Sequence, residues 1–107
     1  MFFTYILRCA DDTLYVGHTE DLASREQTHN DGKGARHTAA RRPVRMVYAE
    51  EHSSAVNAIA RERQLKRWTQ EKKEALILDD RVALRSLGRR PRKSMADFTW
   101  RDLLNRD

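Results

Sequence analysis

Residues 2–19, FFTYILRCADDTLYVGHT, constrain the fold more than any other stretch. They read as a β-hairpin, two runs of β-branched and aromatic residues around an acidic turn. Alternation puts Phe3, Tyr5, Leu7 and Cys9 on one face of the first strand and Phe2, Thr4, Ile6 and Arg8 on the other. Asp11-Asp12 marks the turn, without the glycine that would define its type. In the returning strand, residues 14–18, Leu14 and Val16 share a face, and Tyr15 lies with Thr13 and Gly17. The register across the turn stays open. Each strand carries one tyrosine, either an ordinary strand aromatic or part of a site.

Residues 20–30, EDLASREQTHN, read as a helix with Thr19 as its candidate cap. Leu22 and Ala23 are almost its only apolar residues. Leu22, Arg25, Glu26 and His29 fall on one side, so the side suited to face a sheet carries an arginine and a histidine. NDGKGA ends the helix in a glycine-containing loop, and the basic loop RHTAARRP closes at Pro43. Residues 44–50, VRMVYAE, alternate Val44, Met46 and Tyr48 against Arg45, Val47 and Ala49 as a third strand. Ser53 or Ser54 caps a helix running to about Trp68, with Glu62 inside its stripe of Ala55, Ala58, Ile59 and Leu65. Thr69 caps a third helix through Leu78, which Asp79-Asp80 breaks, and RVALRSLG forms a short helix ending at Gly88. RRPRK is a basic linker, and SMADFTWRDLLNRD suits an amphipathic helix capped by Ser94. This order gives an α/β (α+β) class, a small sheet flanked by helices. Residues 1–80 form one domain and 81–107 a C-terminal extension.

Of the 107 residues 39% are hydrophobic and 35% charged, which predicts high solubility and a thin core. The net charge of +5 favours a polyanionic partner, most simply nucleic acid, over a basic surface that serves only solubility. The lone Cys9 excludes an intrachain disulfide and a four-cysteine metal site, and suits a reducing compartment. MFFTYILRCA has neither a cationic leader nor an apolar run long enough for a membrane span. The expected location is cytoplasmic, with no membrane partner.

Arg25 and His29 are four residues apart and project together. A guanidinium grips two phosphate oxygens, and a histidine beside it exchanges protons near neutral pH. The competing reading is a pair on an exposed helix rim. Glu62 on an apolar stripe must be paired or metal-bound. One carboxylate suits Mg²⁺, which keeps most of its waters, and an ion pair with an arginine such as Arg25 suits equally. A phenol with a pKa of roughly 10 is a poor base unless nearby cations lower it, so packing competes with catalysis at Tyr5 and Tyr15. His18, His29, His37, His52 and Cys9 show no paired zinc-ligand spacing.

The combination of TYIL, LYVG, Arg25 and a later Glu62 resembles the GIY-YIG nuclease family. Tyr5 corresponds to the tyrosine of the first motif and Tyr15-Val16-Gly17 to the second. DLASREQTHNDGKGARHT, RRPVRMVYAEE and AIARERQLKRWTQEKKEALI are similar to the small single-domain bacterial members, so the likeness covers residues 2 to about 78. It implies a three-stranded antiparallel sheet with flanking helices and phosphodiester hydrolysis with one divalent ion, Mg²⁺ or Mn²⁺. Glu62 would hold the metal, and Arg25 would stabilise charge on the phosphate. Tyr5 and Tyr15 would orient or deprotonate the attacking water, with Tyr5 the favoured base. His29 would assist proton transfer or bind phosphate. Lys33, Arg36, His37, Thr38, Arg41, Arg42 and Lys66 are the expected substrate contacts. Thr4 stands where the family name has isoleucine, with no glycine before it, and His37 stands where many relatives have tyrosine or phenylalanine. The leading expectation is an endonuclease acting on DNA, with single-stranded or structured DNA the suggested form. The alternatives are a non-catalytic nucleic-acid-binding protein on the same scaffold, and a module that binds a protein partner through the C-terminal extension.

Overall fold

The computed structural model describes the backbone of residues 1–86 and the side chains of residues 1–79. The amphipathic helix and basic linker expected near the C-terminus lie outside the described residues. The chain forms two compact units, residues 1–68 and a second that begins at Thr69.

The first unit is built on a three-stranded antiparallel sheet. Strands β1 (Phe2–Arg8), β2 (Leu14–Thr19) and β3 (Arg45–His52) lie in the order β2-β1-β3, so the hairpin's first strand is central. Tyr5 pairs with Gly17 and Leu7 with Tyr15 across the hairpin, which fixes the register. Asp12 closes the turn at φ 69°, the left-handed conformation that aspartate tolerates better than most residues. Helix α1 (Leu22–Asn30) follows β2 and is capped by Asp21, whose carboxylate accepts the Ser24 N–H. Thr19, the expected cap, instead accepts the Asp21 N–H one turn earlier. The basic loop contains a short helix, α2 (Arg36–Ala39). Helix α3 (Ala55–Lys66) starts at Ser54, whose hydroxyl accepts the Asn57 N–H.

The two sheet faces carry different cores. Tyr5, Leu7, Cys9 and Val44 are buried together, with Tyr15, Leu22, Met46 and Ala49 packed against them. On the other face Thr4, Ile6, Val16 and Tyr48 are buried, and Thr4 donates to the Ala58 carbonyl of α3 at 2.9 Å. The alternation expected for the third strand fails at Val47. Ile6 pairs with Tyr48 and Leu7 with Met46, so β3 has one residue more than β1 at that point. This β-bulge turns Met46 and Tyr48 to opposite faces, although they are two residues apart.

The α3 face also buries a polar cluster. Glu50 accepts a hydrogen bond from the Tyr48 hydroxyl at 2.6 Å. Its second oxygen lies 2.8 Å from His52 Nε2 and 3.2 Å from Arg61 Nε. The Arg61 guanidinium stacks 5.1 Å from the Trp68 ring centroid. A buried carboxylate is tolerable only with such partners.

In the second unit, helix α4 runs unbroken from Gln70 to Ser86. Asp79-Asp80 does not end it, and residues 81–86, expected to belong to a separate short helix, continue α4. Aspartate costs only about 0.7 kcal/mol in a helix interior, far less than the glycine or proline that would stop it. The expected boundary after residue 80 falls inside α4.

Candidate active site

Tyr5 and Tyr15 sit on adjacent strands and on the same sheet face, because both hairpin strands alternate in phase. Tyr5 is 2% exposed, and its hydroxyl lies 3.0 Å from His29 Nε2. His29 projects from the last turn of α1 and is also 2% exposed. Tyr15 is half-buried against the same imidazole, with ring centroids 5.2 Å apart. Two glycines make this packing possible. A Cβ on Gly17 would lie 2.5 Å from the Tyr5 hydroxyl oxygen, and one on Gly34 would lie 2.7 Å from His29 Cε1.

The carboxylate comes from α3. Glu62 is 14% exposed, and both of its oxygens have partners. His18 Nδ1 donates to one oxygen, and Lys66 Nζ lies 2.7 Å from the other. Lys66 also stands 5.8 Å from the Tyr15 ring centroid, within cation–π range. Contacts therefore run without a break from Tyr5 through His29, Tyr15 and Lys66 to Glu62 and His18. They cluster at the β2 edge of the sheet.

The ionisation states follow from these surroundings. Burial, aided by Tyr15, pushes the Tyr5 phenol far above its ordinary range, although Arg25 pulls the other way. Burial and then Arg25 push the His29 imidazole down, which keeps it neutral near pH 7. Burial would raise the Glu62 carboxyl, but hydrogen bonds from Lys66 and His18 hold it below the usual range. Arg25 is half-buried and exerts its charge on both Tyr5 and His29, and among the described residues it meets no carboxylate. The alternative of a Glu62–Arg25 ion pair does not occur. Cations do not make Tyr5 a ready phenolate, because desolvation outweighs the one arginine nearby.

The expected substrate contacts divide. Lys33 and Arg36 are exposed on the loop and α2. Arg41 is committed elsewhere: Nε donates to Asp11 at 2.9 Å and Nη1 to the His37 carbonyl at 3.0 Å. Arg42 donates to the Ala39 carbonyl at 2.9 Å. Both pin the loop against the hairpin turn or against itself. His37 stacks on Tyr15 with ring planes 20° apart, and its Nε2 lies 3.0 Å from the Thr13 hydroxyl. Thr38 is fully buried, out of reach of substrate, and its hydroxyl faces His29 Nδ1 at 2.7 Å.

Sequence reading missed His18, Gly34 and the true place of Thr38. For His18 a signal was available: it shares its strand face with Val16, the face a helix must cover, so a polar residue there needs a partner on that helix. Nothing local marks Gly34 or Thr38, since their roles depend on how the loop folds over α1.

Among the described residues no group of three or more His, Cys, Asp or Glu side chains could hold an ion through protein ligands alone. Glu62 still suits one divalent ion. An ionised carboxylate offers about four acceptor positions, and His18 and Lys66 use one on each oxygen. Mg²⁺ binds commonly through one or two carboxylates and keeps its waters.

The three-stranded sheet, the tyrosine–histidine pair, Arg25 and the helix-borne carboxylate together make a small α+β domain with its charged groups gathered at one sheet edge. The model of the GIY-YIG catalytic domain matches residues 1–75. The chain belongs to the GIY-YIG family, a family of nucleases. It is 45% identical over 80 residues to a UPF0213 protein of Bacillus pumilus, covering 75% of this chain and 82% of that one. It is 44% identical over 79 residues to the UPF0213 protein YazA of Bacillus subtilis, covering 74% of this chain and 80% of that one. The solution NMR structure of a UPF0213 protein from Bacillus halodurans superposes with a TM-score of 0.47 at 37% identity, covering 72% of this chain and 83% of that one. No helix of the described residues is long and apolar enough to cross a membrane.

Proposed function

We propose that this chain is a metal-dependent endonuclease that hydrolyses phosphodiester bonds in DNA, single-stranded or structured DNA being the suggested form. The observation that supports it most is the unbroken run of contacts from Tyr5 to Glu62 beside the half-buried Arg25, which meets no carboxylate among the described residues. Glu62 would hold Mg²⁺ or Mn²⁺. When bound, the ion neutralises oxyanion charge and acidifies its waters. Arg25 adds fixed positive charge where the pentacoordinate phosphate needs it. Tyr5 is the base in this reading. Burial keeps its phenol neutral, so it takes a proton from the attacking water only while handing its own to His29. Tyr15, held between His29, His37 and Lys66, orients the water or the phosphate. Lys33 and Arg36 reach solvent and would contact the strand's backbone.

Residues 81–107, taken as an extension to a domain of residues 1–80, would serve a nucleic-acid strand or a protein partner. The single buried Cys9 fits action in the reducing cytoplasm. The two partners on Glu62 also suit a second reading, a scaffold that binds nucleic acid without cutting it. One experiment separates the two. The pure protein is incubated with labelled single-stranded and duplex DNA in Mg²⁺, Mn²⁺ or EDTA, beside Glu62→Ala. Cutting that needs metal and disappears in the variant is expected. Full activity in Glu62→Ala would sink the metal assignment, and binding without cutting in every condition would favour the second reading.

A further inference from the structure

The hydrogens around His29 can be counted. Thr38 is fully buried, and its hydroxyl donates to the Ala35 carbonyl at 2.9 Å. A threonine hydroxyl has one hydrogen, so towards His29 Nδ1, 2.7 Å away, its oxygen is left as an acceptor. Nδ1 then carries the ring proton. At the other end, the only described partner of the Tyr5 hydroxyl is His29 Nε2 at 3.0 Å. If Nε2 carried the ring proton, the buried Tyr5 hydrogen would have no acceptor, at a cost of about 1–3 kcal/mol. Only one arrangement satisfies all three hydrogens: Tyr5 donates to Nε2, Nδ1–H donates to Thr38, and Thr38 donates to Ala35. Gly34 leaves the space in which the ring holds this pose.

We propose that Thr38 is a positioning residue that fixes His29 with its proton on Nδ1, so that Nε2 is the acceptor for the Tyr5 proton. The consequence for cleavage rests on the nucleolytic reading, but the tautomer does not. In that reaction water loses a proton to the Tyr5 oxygen as its own oxygen bonds to phosphorus. The Tyr5 O–H bond breaks in the same event, and that proton joins Nε2. The phosphorus bond to the leaving oxygen breaks, and that oxygen takes a proton from solvent. The proton on Nε2 returns through the same hydroxyl to solvent, which restores Tyr5 and His29.

The test begins with ¹⁵N-labelled wild type at neutral pH without DNA. NMR of the ring nitrogens should show the His29 proton on Nδ1. Thr38→Ser should keep it there, and Thr38→Val should move it to Nε2 or leave a mixture. With DNA and Mn²⁺, Thr38→Val should lower kcat roughly a hundredfold, the lower part of what a positioned proton acceptor contributes, with KM unchanged. Thr38→Ser should recover most of the loss. Wild-type His29 protonated on Nε2 would overturn the proposal, even if Thr38→Val failed to fold. So would a Thr38→Val protein with unchanged tautomer and kcat. A wild type that holds Nδ1–H yet cuts no DNA would overturn the nuclease reading and leave the role of Thr38 standing.

Discussion

Gly17 stands opposite Tyr5 in the hairpin, and the tyrosine ring fills the space above its Cα. The glycine here serves close approach, since the second strand is regular at that point. An alanine would put its Cβ 2.6 Å from Tyr5 Cζ, and the ring would have to leave His29. A displacement of about 1 Å in a reacting group can cost a hundredfold in rate. Gly17→Ala should therefore lose DNA cleavage by roughly that factor. Its far-ultraviolet circular dichroism should stay that of the wild type, and single-turnover assays beside the spectra would check both. At this scale the sequence shows that Tyr5 and Tyr15 can share a face and that Arg25 and His29 project together. It does not show that Gly17 and Tyr5 are partners, because register depends on the whole sheet. Nor does it show that Thr38 turns inward, because nothing within the loop requires it.

Helix α1 is tied to β3 by side chains that act in place of a fourth strand. The Asn30 amide donates to the Val44 carbonyl at 2.9 Å and accepts the Val44 N–H at 2.7 Å. Glu26 accepts the Met46 N–H at 2.7 Å. These bonds satisfy backbone groups that an edge strand would otherwise leave open. They also hold α1 where His29 meets Tyr5. Asn30→Ala strands both polar groups of a buried valine and should destabilise the domain by about 1–3 kcal/mol. Urea denaturation would show a lower midpoint with an unchanged slope. The elements themselves were legible, because alternation marks the hairpin and Ser54 marks the start of α3, and α1 was placed although Asp21 rather than the expected Thr19 caps it. One error came where a tertiary feature overrides local pattern. Val47 breaks the alternation of β3 in this way; the Asp79-Asp80 error was local instead, because aspartate costs a helix far less than glycine or proline.

Across the whole molecule, the excess of cations was legible but its allocation was not. Arg41, Arg42 and Arg61 are engaged by the protein's own groups, Asp11, backbone carbonyls and Glu50, the first two at the surface and Arg61 buried. The Glu50–Arg61 cluster escaped sequence reading because its members are ordinary charged residues until the sheet and α3 close over them. Lys33 and Arg36 remain exposed. Each phosphate contact removed should lower the salt slope of DNA binding by about one, uniformly across sequences. Lys33→Ala and Arg36→Ala should each do so in a salt titration of affinity. An unchanged slope in both variants would place the binding surface elsewhere.

The extra residue in β3 also bears on how chains of this kind tolerate changes in length. With Val47 removed, Met46 could still face Leu7 and Tyr48 could still face Ile6, now in uninterrupted pairing. With Ala49 removed instead, Glu50 would slide opposite Tyr5 and bring a carboxylate against the phenol. A one-residue gap between relatives is therefore cheap at position 47 and ruinous two residues later, and sequences should be aligned through this strand accordingly.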